Sequence, residues 1–179
     1  MVCGEAMNIE KKMTQIWVGP KPAPKKWMDT WKDLHPDWDY AVFTDQDLKS
    51  RTFKNQHLID QYYKMGKFQG VSDLIRYELI HEQGGFWPEA DMVCLNNTED
   101  LFTSPEDHCY TCYENETGRP GFVQPIMVAN PGNDFLKALI DELYQLKPSQ
   151  LHPEPFRSTG NAWLSTMILK HKPEITIWP

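Results

Sequence analysis

An α/β sandwich with a mostly parallel central sheet is the fold class this sequence predicts, and three observations carry that expectation. Short strand-like segments alternate with helical periods along the chain, the breaks between them hold Gly, Pro, Asn or Asp, and no internal repeat or low-complexity tract competes with that order. With 179 residues, 40% hydrophobic and 24% charged, the chain has the length and balance of one ordinary soluble domain and can bury a sizeable core.

The elements follow in order. Residues 14–18 read as a first strand, stopped by the loop GPKPAP, whose prolines cannot donate to a hydrogen-bond ladder. Residues 25–34 read as a helix, because Trp27, Met28 and Trp31 recur at spacings of one, three and four and form an apolar stripe for helix packing. Residues 40–44 read as a second strand, after which the Asp45 carboxylate can cap a helix by accepting orphan backbone N–H groups. A helix around 58–65 ends at Gly66. The clearest helix covers 71–83, with Val71, Leu74, Ile75 and Leu79 at i, i+3, i+4 and i+8 and Gly84-Gly85 as its stop.

Beyond the glycines, residues 92–95, continuing from PEAD, and residues 109–113 read as strands of the central sheet. The strand expected over 121–129 is interrupted by Pro125, which predicts an edge, a bulge or a bend. Asn133 or Asp134 can cap a helix running to 146, with Phe135, Leu136, Leu139, Ile140 and Leu143 facing the core. The linker KPSQLHPEPFR leads to a last helix, opened by Ser158 or Thr159 and reaching about residue 170, and an apolar strand follows at ITIWP. Ligands on such sheets gather at the carboxyl ends of the strands.

The formal charge of -7 offers no basic footprint for a phosphate backbone, which argues against nucleic acid as a partner. The opening MVCGEAMNIEKK lacks an apolar h-region, and no stretch approaches the roughly 20 apolar residues of a membrane span, so the sequence reads as cytoplasmic. Cys3, Cys94, Cys109 and Cys112 are too few and too irregular for a disulfide framework. A zinc or redox reading of the CxxC at Cys109 and Cys112 lacks a second CxxC, and the segment alternates like a strand.

The chemistry concentrates in FQGVSDLIRYELIHEQGGFWPEADMVCL. A helix bearing Asp73, Arg76 and Tyr77 runs through Gly84-Gly85 into a strand end bearing Glu89 and Asp91. Asp73, Arg76 and Tyr77 fall at i, i+3 and i+4, on one helix face. In isolation such an Asp and Arg make a surface ion pair, but here the same helix feeds the acidic segment. Two acids one residue apart share a face of an extended chain and repel unless a cation lies between them. Oxygen ligands of this kind suit Mg²⁺ or Mn²⁺ bridging to phosphates.

Those residues resemble the signature of DXD-containing glycosyltransferases of the GT-A type, the family 32 group that includes capsular-polysaccharide sugar transferases and fungal initiating mannosyltransferases. The resemblance extends to TQIWVG at residues 14–19, to WKDLHPDWDYAVFTDQDL, and to Ser158-Thr159-Gly160 followed by Leu164, so that it covers most of the chain. It implies one GT-A-like nucleotide-binding domain over 1–179 and a metal-dependent transferase that moves a sugar, with retention, from a nucleoside-diphosphate-sugar donor to a glycan or other hydroxyl acceptor. It implies Mn²⁺, for which carboxylates alone would fit Mg²⁺ equally well. By the same resemblance Trp17 stacks on the nucleobase, Asp73 and Arg76 hold the donor sugar, Tyr77 joins the donor pocket, Glu89 faces the ribose or sugar, and Asp91 is the direct metal ligand with Glu89 beside it. Without the resemblance, Trp17 reads as a core aromatic.

The sequence departs from that pattern at Glu89, where the family has Asp, at Pro88, at Gln124-Pro125, and at Asn161 in place of a Pro. Relatives also continue beyond the position of ITIWP, so the domain reads as shortened at that end. These departures support an alternative: a catalytically impaired nucleotide-sugar or glycan-binding module. A Mg²⁺-dependent phosphatase is a third reading, but it leaves the Gly-Gly turn and Trp17 without a role. No residue presents itself as a nucleophile, and oligomeric state is not written in the pattern. Glu114, Asn115 and Arg119 form a loop that could approach an acceptor.

Overall fold

The computed structural model describes residues 9–103, 108–125 and 127–179. One six-stranded sheet runs through it in the order β2-β1-β3-β5-β4-β6. The strands are β1 (Lys12–Ile16), β2 (Asp39–Phe43), β3 (Gly85–Phe86), β4 (Cys109–Cys112), β5 (Val128–Ala129) and β6 (Ile175–Trp178). β1 pairs in parallel with β2 and β3, and β4 pairs in parallel with β6; β5 alone runs antiparallel, between β3 and β4. The mostly parallel sheet expected from the sequence is therefore present.

Among the described residues six α-helices flank it: α1 (Lys25–Leu34), α2 (Asp45–Lys49), α3 (Gln56–Lys64), α4 (Phe68–Gln83), α5 (Asp134–Tyr144) and α6 (Asn161–His171). Adjacent strand residues point to opposite faces and so feed two separate cores. Cys109 and Ala129 join the layer built on α3, α4, α5 and α6, while Tyr110 and Val128 join the layer holding Trp31 of α1, Trp38, Phe86 and Phe102. The second layer is an aromatic cluster, with Trp31 edge-on to Phe86 at 5.4 Å and Trp178 of β6 stacked on Tyr110 at 5.3 Å. Trp87, unlike Phe86, packs into the α4 layer, and its indole N–H donates to the Gly84 carbonyl at 2.8 Å.

Several local expectations change. Residues 92–95 are not a strand. Pro88 cannot donate, and the backbone beyond it is satisfied by α1 side chains: the Trp31 indole donates to the Met92 carbonyl at 2.9 Å, and the Cys94 N–H donates to Thr30 Oγ1 at 2.9 Å. Residues 121–129 keep only a bridge at Val123 and the two-residue β5, the break expected around Pro125. Thr44 rather than Asp45 caps α2, because Asp47 reaches back to its N–H at 2.8 Å and Asp45 is drawn away to the Gly19 N–H. Asn133 caps α5 as expected, accepting from Phe135 and Leu136. α6 starts after Gly160, because the Thr159 hydroxyl is spent elsewhere. Trp27 leaves the α1 stripe and is 47% exposed, while Met28 and Trp31 are buried. Cys3 lies outside the described residues.

α4 is the central helix, with Val71, Leu74, Ile75, Leu79 and Ile80 fully buried. Gly84 ends it at φ +65, a conformation that costs an L side chain, and a Cβ there would meet the Pro131 ring at 2.5 Å and its backbone N at 2.9 Å. Gly84→Ala is expected to destabilise the protein by about 2–4 kcal/mol. Urea unfolding should show this as a lower midpoint at constant m-value, and an unchanged midpoint would mean that the turn relaxes around the methyl.

Candidate active site

The three parallel strands β2, β1 and β3 end at Phe43, Ile16 and Phe86, and the segments that leave them meet at one end of the sheet. From β1 comes Trp17, from β2 Asp45, and from β3 the turn carrying Glu89 and Asp91. Gln15, fully buried in β1, ties the last of these down: its side-chain N–H donates to the Glu89 carbonyl at 3.2 Å, and its Oε1 accepts from the Tyr40 hydroxyl at 2.7 Å.

The expected extended Glu-x-Asp face is instead a turn, in which the Met92 N–H donates to the Glu89 carbonyl. The two carboxylates therefore part. Glu89 turns inward and receives both terminal nitrogens of Arg76, Nη1 at 2.5 Å and Nη2 at 2.7 Å, a planar fork-to-fork pair. Asp91 stays exposed. Arg76 is 1% exposed, and its Nε has no hydrogen-bond partner. Burial is the largest influence and works against its charge, but the charge and hydrogen bonds of Glu89, with the Asp73 charge added, together raise the Arg76 pKa.

Asp73 lies one turn before Arg76, is 8% exposed, and accepts from Thr159 Oγ1 at 3.0 Å. Desolvation lifts its pKa from 3.8 to about 7 against the opposing pull of Arg76, and the Glu89 charge adds to the rise. The Arg76 fork goes to Glu89 and reaches Asp73 only through its charge, so burial dominates the Asp73 pKa. Tyr77 is fully buried and donates to the Thr159 carbonyl at 2.7 Å. Gly160 follows with no room for a side chain, because a Cβ there would stand 2.9 Å from Asp73 Oδ2. Thr159 and Gly160 are in this way the wall against which Asp73 rests. Trp17 is half-buried and its indole N–H donates to the Lys21 carbonyl at 2.8 Å.

The structure thus brings Asp73, Arg76, Tyr77 and Glu89 together, with Asp91 on the rim and Trp17 on the neighbouring strand exit. Sequence reasoning did not assign Gln15, Tyr40 or the Thr159 hydroxyl to this cluster; a buried Gln in a strand is the one signal that could have found the first. Gln124 and Asn161, both departures from the family pattern, meet each other, with Asn161 Nδ2 3.4 Å from Gln124 Oε1. Glu114 pairs with Arg119 at 2.5 Å, and Asn115 Oδ1 is spent on the N–H groups of Thr117 and Gly118. Two surface clefts are lined by none of Asp73, Arg76, Glu89 or Asp91, one around Trp38, Asp39 and Tyr40 and one between α4 and α5 around His81 and Asp141.

Among the described residues, no three His, Cys, Asp or Glu side chains come close enough to hold a metal ion. Both Glu89 oxygens are committed to Arg76, which leaves Asp91 as the free carboxylate. A Mg²⁺- or Mn²⁺-like ion needs only one or two carboxylates when diphosphate oxygens and water complete its shell. The residues fit an ion brought with a phosphorylated ligand and do not form a cage for an ion alone.

Comparison with known proteins bears on the fold and the family. The family model described as "Glycosyltransferase sugar-binding region containing DXD motif" matches residues 23–110, which include Asp73, Arg76, Glu89 and Asp91. Inositol phosphoceramide mannosyltransferase 3 of Schizosaccharomyces pombe is 27% identical over 143 residues, 78% of this chain and 38% of the relative. Inositol phosphoceramide mannosyltransferase 2 of the same yeast is 24% identical over 180 residues, 97% of this chain and 50% of the relative. The chain therefore spans at most half the length of these curated relatives. The solved structure of PaToxG glycosyltransferase superposes with a TM-score of 0.69 over 91% of this chain and 69% of its own, at 14% identity, and shows the fold alone. These matches make the chain similar to DXD-type glycosyltransferases, on a GT-A-type sandwich, and support sugar transfer at the level of the family.

The raised pKa of Asp73 sets a sign for pH. The folded protein holds this proton more tightly than the unfolded chain, so the stability it contributes is full below about pH 4 and is lost as pH rises through about 7, on the order of 4 kcal/mol at most. Metal-free Asp73→Asn should not show that loss. Urea unfolding across pH 4–8 is expected to show the variant gaining on the wild type as pH rises, and parallel profiles would mean that Asp73 ionises without cost.

Proposed function

We propose that this protein transfers a sugar from a nucleoside-diphosphate-sugar donor to a glycan or other hydroxyl acceptor, with a divalent metal ion and with retention of configuration. The observation that carries the reading is the buried Arg76–Glu89 fork beside Asp73, set next to the free carboxylate of Asp91 at the carboxyl ends of β1 and β3.

In this reading Trp17 offers its indole to the nucleobase. Asp73 accepts a hydrogen bond from a donor-sugar hydroxyl, for which it must be ionised or turn its free oxygen to the ligand. Arg76 directs its unpartnered Nε and the rim of its guanidinium toward sugar or phosphate oxygens. Tyr77 holds the Thr159–Gly160 wall, and Glu89 keeps Arg76 in its plane and faces the ribose or sugar. Asp91 would hold the metal, with Glu89, whose two oxygens lie on Arg76, as the second carboxylate beside it. The ion, Mn²⁺ or Mg²⁺, supplies charge to offset the leaving diphosphate. The bond from the anomeric carbon to the diphosphate oxygen breaks, one to the acceptor oxygen forms on the same face, and the acceptor proton passes to the departing diphosphate. The oxocarbenium-like transition state makes leaving-group stabilisation the main task.

The names of the two yeast relatives make a mannosyl donor and an inositol phosphoceramide acceptor the first pair to try. One domain over 1–179 and a cytoplasmic location belong to the same proposal. A second reading, a donor-binding module without turnover, draws on one observation: Arg76 already occupies both oxygens of Glu89.

Calorimetric titration of GDP- and UDP-sugars, with and without Mn²⁺, tests both. Metal-dependent binding is expected, with Asp91→Ala weakening it at least tenfold and released nucleotide accumulating only in the wild type. Binding without released nucleotide selects the second reading, and no binding to any donor overturns both. Arg76→Lys keeps the charge but loses the fork, and is expected to lower kcat/KM by about tenfold or more.

A further inference from the structure

Residues 11–28 contain five lysines and neither Asp nor Glu, in a chain whose formal charge is -7. Lys11 and Lys12 are answered by Glu99 and Glu10. Lys21, Lys25 and Lys26 are exposed and make no ion pair among the described residues. Beside them Trp27 exposes 47% of its surface, although the same helix buries Met28 and Trp31 one residue and one turn away. The α1 stripe therefore has room for its own anchors, and Trp27 is not one of them.

The local backbone holds this group out. Pro20, Pro22 and Pro24 fix φ along the loop and reduce the entropy lost on holding the lysines in place. The loop is pinned at its start, where the Trp17 indole donates to the Lys21 carbonyl and Gly19 packs on the Phe68 ring. At its end the Trp27 and Met28 N–H groups donate to the Pro24 carbonyl. An indole with an apolar body and a polar edge, flanked by three free ammonium groups, matches the boundary between headgroups and acyl chains. Flexible point charges suit the spread charge of a headgroup layer, whereas paired carboxylates on a protein favour the fork of Arg, and no arginine precedes Arg51.

We propose that this face, Lys21, Lys25, Lys26 and Trp27, docks the protein on a bilayer surface rich in anionic headgroups. The docked face lies at the strand end where Trp17 and Asp91 sit, so the rim of the candidate active site meets a lipid-borne acceptor at the surface rather than from bulk solution. The docking itself does not depend on the transferase reading, because it involves none of Asp73, Arg76, Glu89 or Asp91.

Flotation with vesicles of phosphatidylcholine alone, or of phosphatidylcholine with phosphatidylserine, tests it in the absence of donor and metal. The wild type is expected to float with the phosphatidylserine vesicles, to be released by added salt, and to float poorly with phosphatidylcholine alone. Combined Lys21→Ser, Lys25→Ser and Lys26→Ser is expected to weaken this binding about 100-fold. Trp27→Ala should weaken it about tenfold. All four positions are exposed, and an unchanged circular dichroism spectrum and thermal midpoint would confirm folding. Equal binding to both vesicles, binding to neither, or wild-type binding by the triple variant overturns the proposal. Displacement by polyglutamate at matched ionic strength, at an affinity equal to that for the vesicles, assigns the face to an acidic polypeptide and also overturns it. Asp91→Ala should float like the wild type, so failure of the docking and failure of the donor reading are separately visible.

Discussion

The Arg76–Glu89 pair is the interaction on which the site depends. A guanidinium that is 1% exposed is tolerable only when an opposite charge meets it with good geometry, because desolvating an ion costs several kcal/mol even after relaxation. The fork supplies that geometry, and it fixes where the turn after β3 must lie. Glu89 has to reach the middle of α4, and its side chain closes the distance at 2.5 and 2.7 Å. Gln15 completes the arrangement by holding the Glu89 carbonyl from β1.

The same turn is held from the other face of the sheet. Trp31 and Thr30 of α1 take the polar backbone of residues 92 and 94, so the acidic segment is stretched between the two cores. Glu89 is pulled toward the α4 layer, and Asp91 projects outward with no comparable tie. A pair of acids that a regular strand would have placed side by side is separated into one structural carboxylate and one free one. The division of labour is a direct result of Pro88, which ends the ladder after Trp87 donates to the Met127 carbonyl.

Asp73 shows how the rest of the cluster follows. With Arg76 committed to Glu89, the second carboxylate of the pocket is left to a hydroxyl, and Thr159 supplies it from a segment 86 residues away. Gly160 is required beside it by space, and Tyr77 secures the Thr159 carbonyl. Gln124 and Asn161 approach each other nearby, with Asn161 Nδ2 3.4 Å from Gln124 Oε1.

The periodicities of 2 and 3.6 were enough to determine the α/β class, all six helices except the short α2 in extent, and the buried stripes of α4 and α5, because amphipathic burial is a local pattern. The motif residues Asp73, Arg76, Glu89 and Asp91 were equally legible, since their types and spacing belong to one contiguous stretch. What only the tertiary structure decided is which carboxylate each cation takes. Residues 92–95 have the composition of a strand, yet the Met92 carbonyl and the Cys94 N–H bond to α1. Thr159 has the composition of a helix cap, yet its hydroxyl goes to Asp73. Trp27 fits the period of a core stripe, yet it faces solvent. In the first two cases a long-range partner displaced the local one, and no window of sequence contains both competitors.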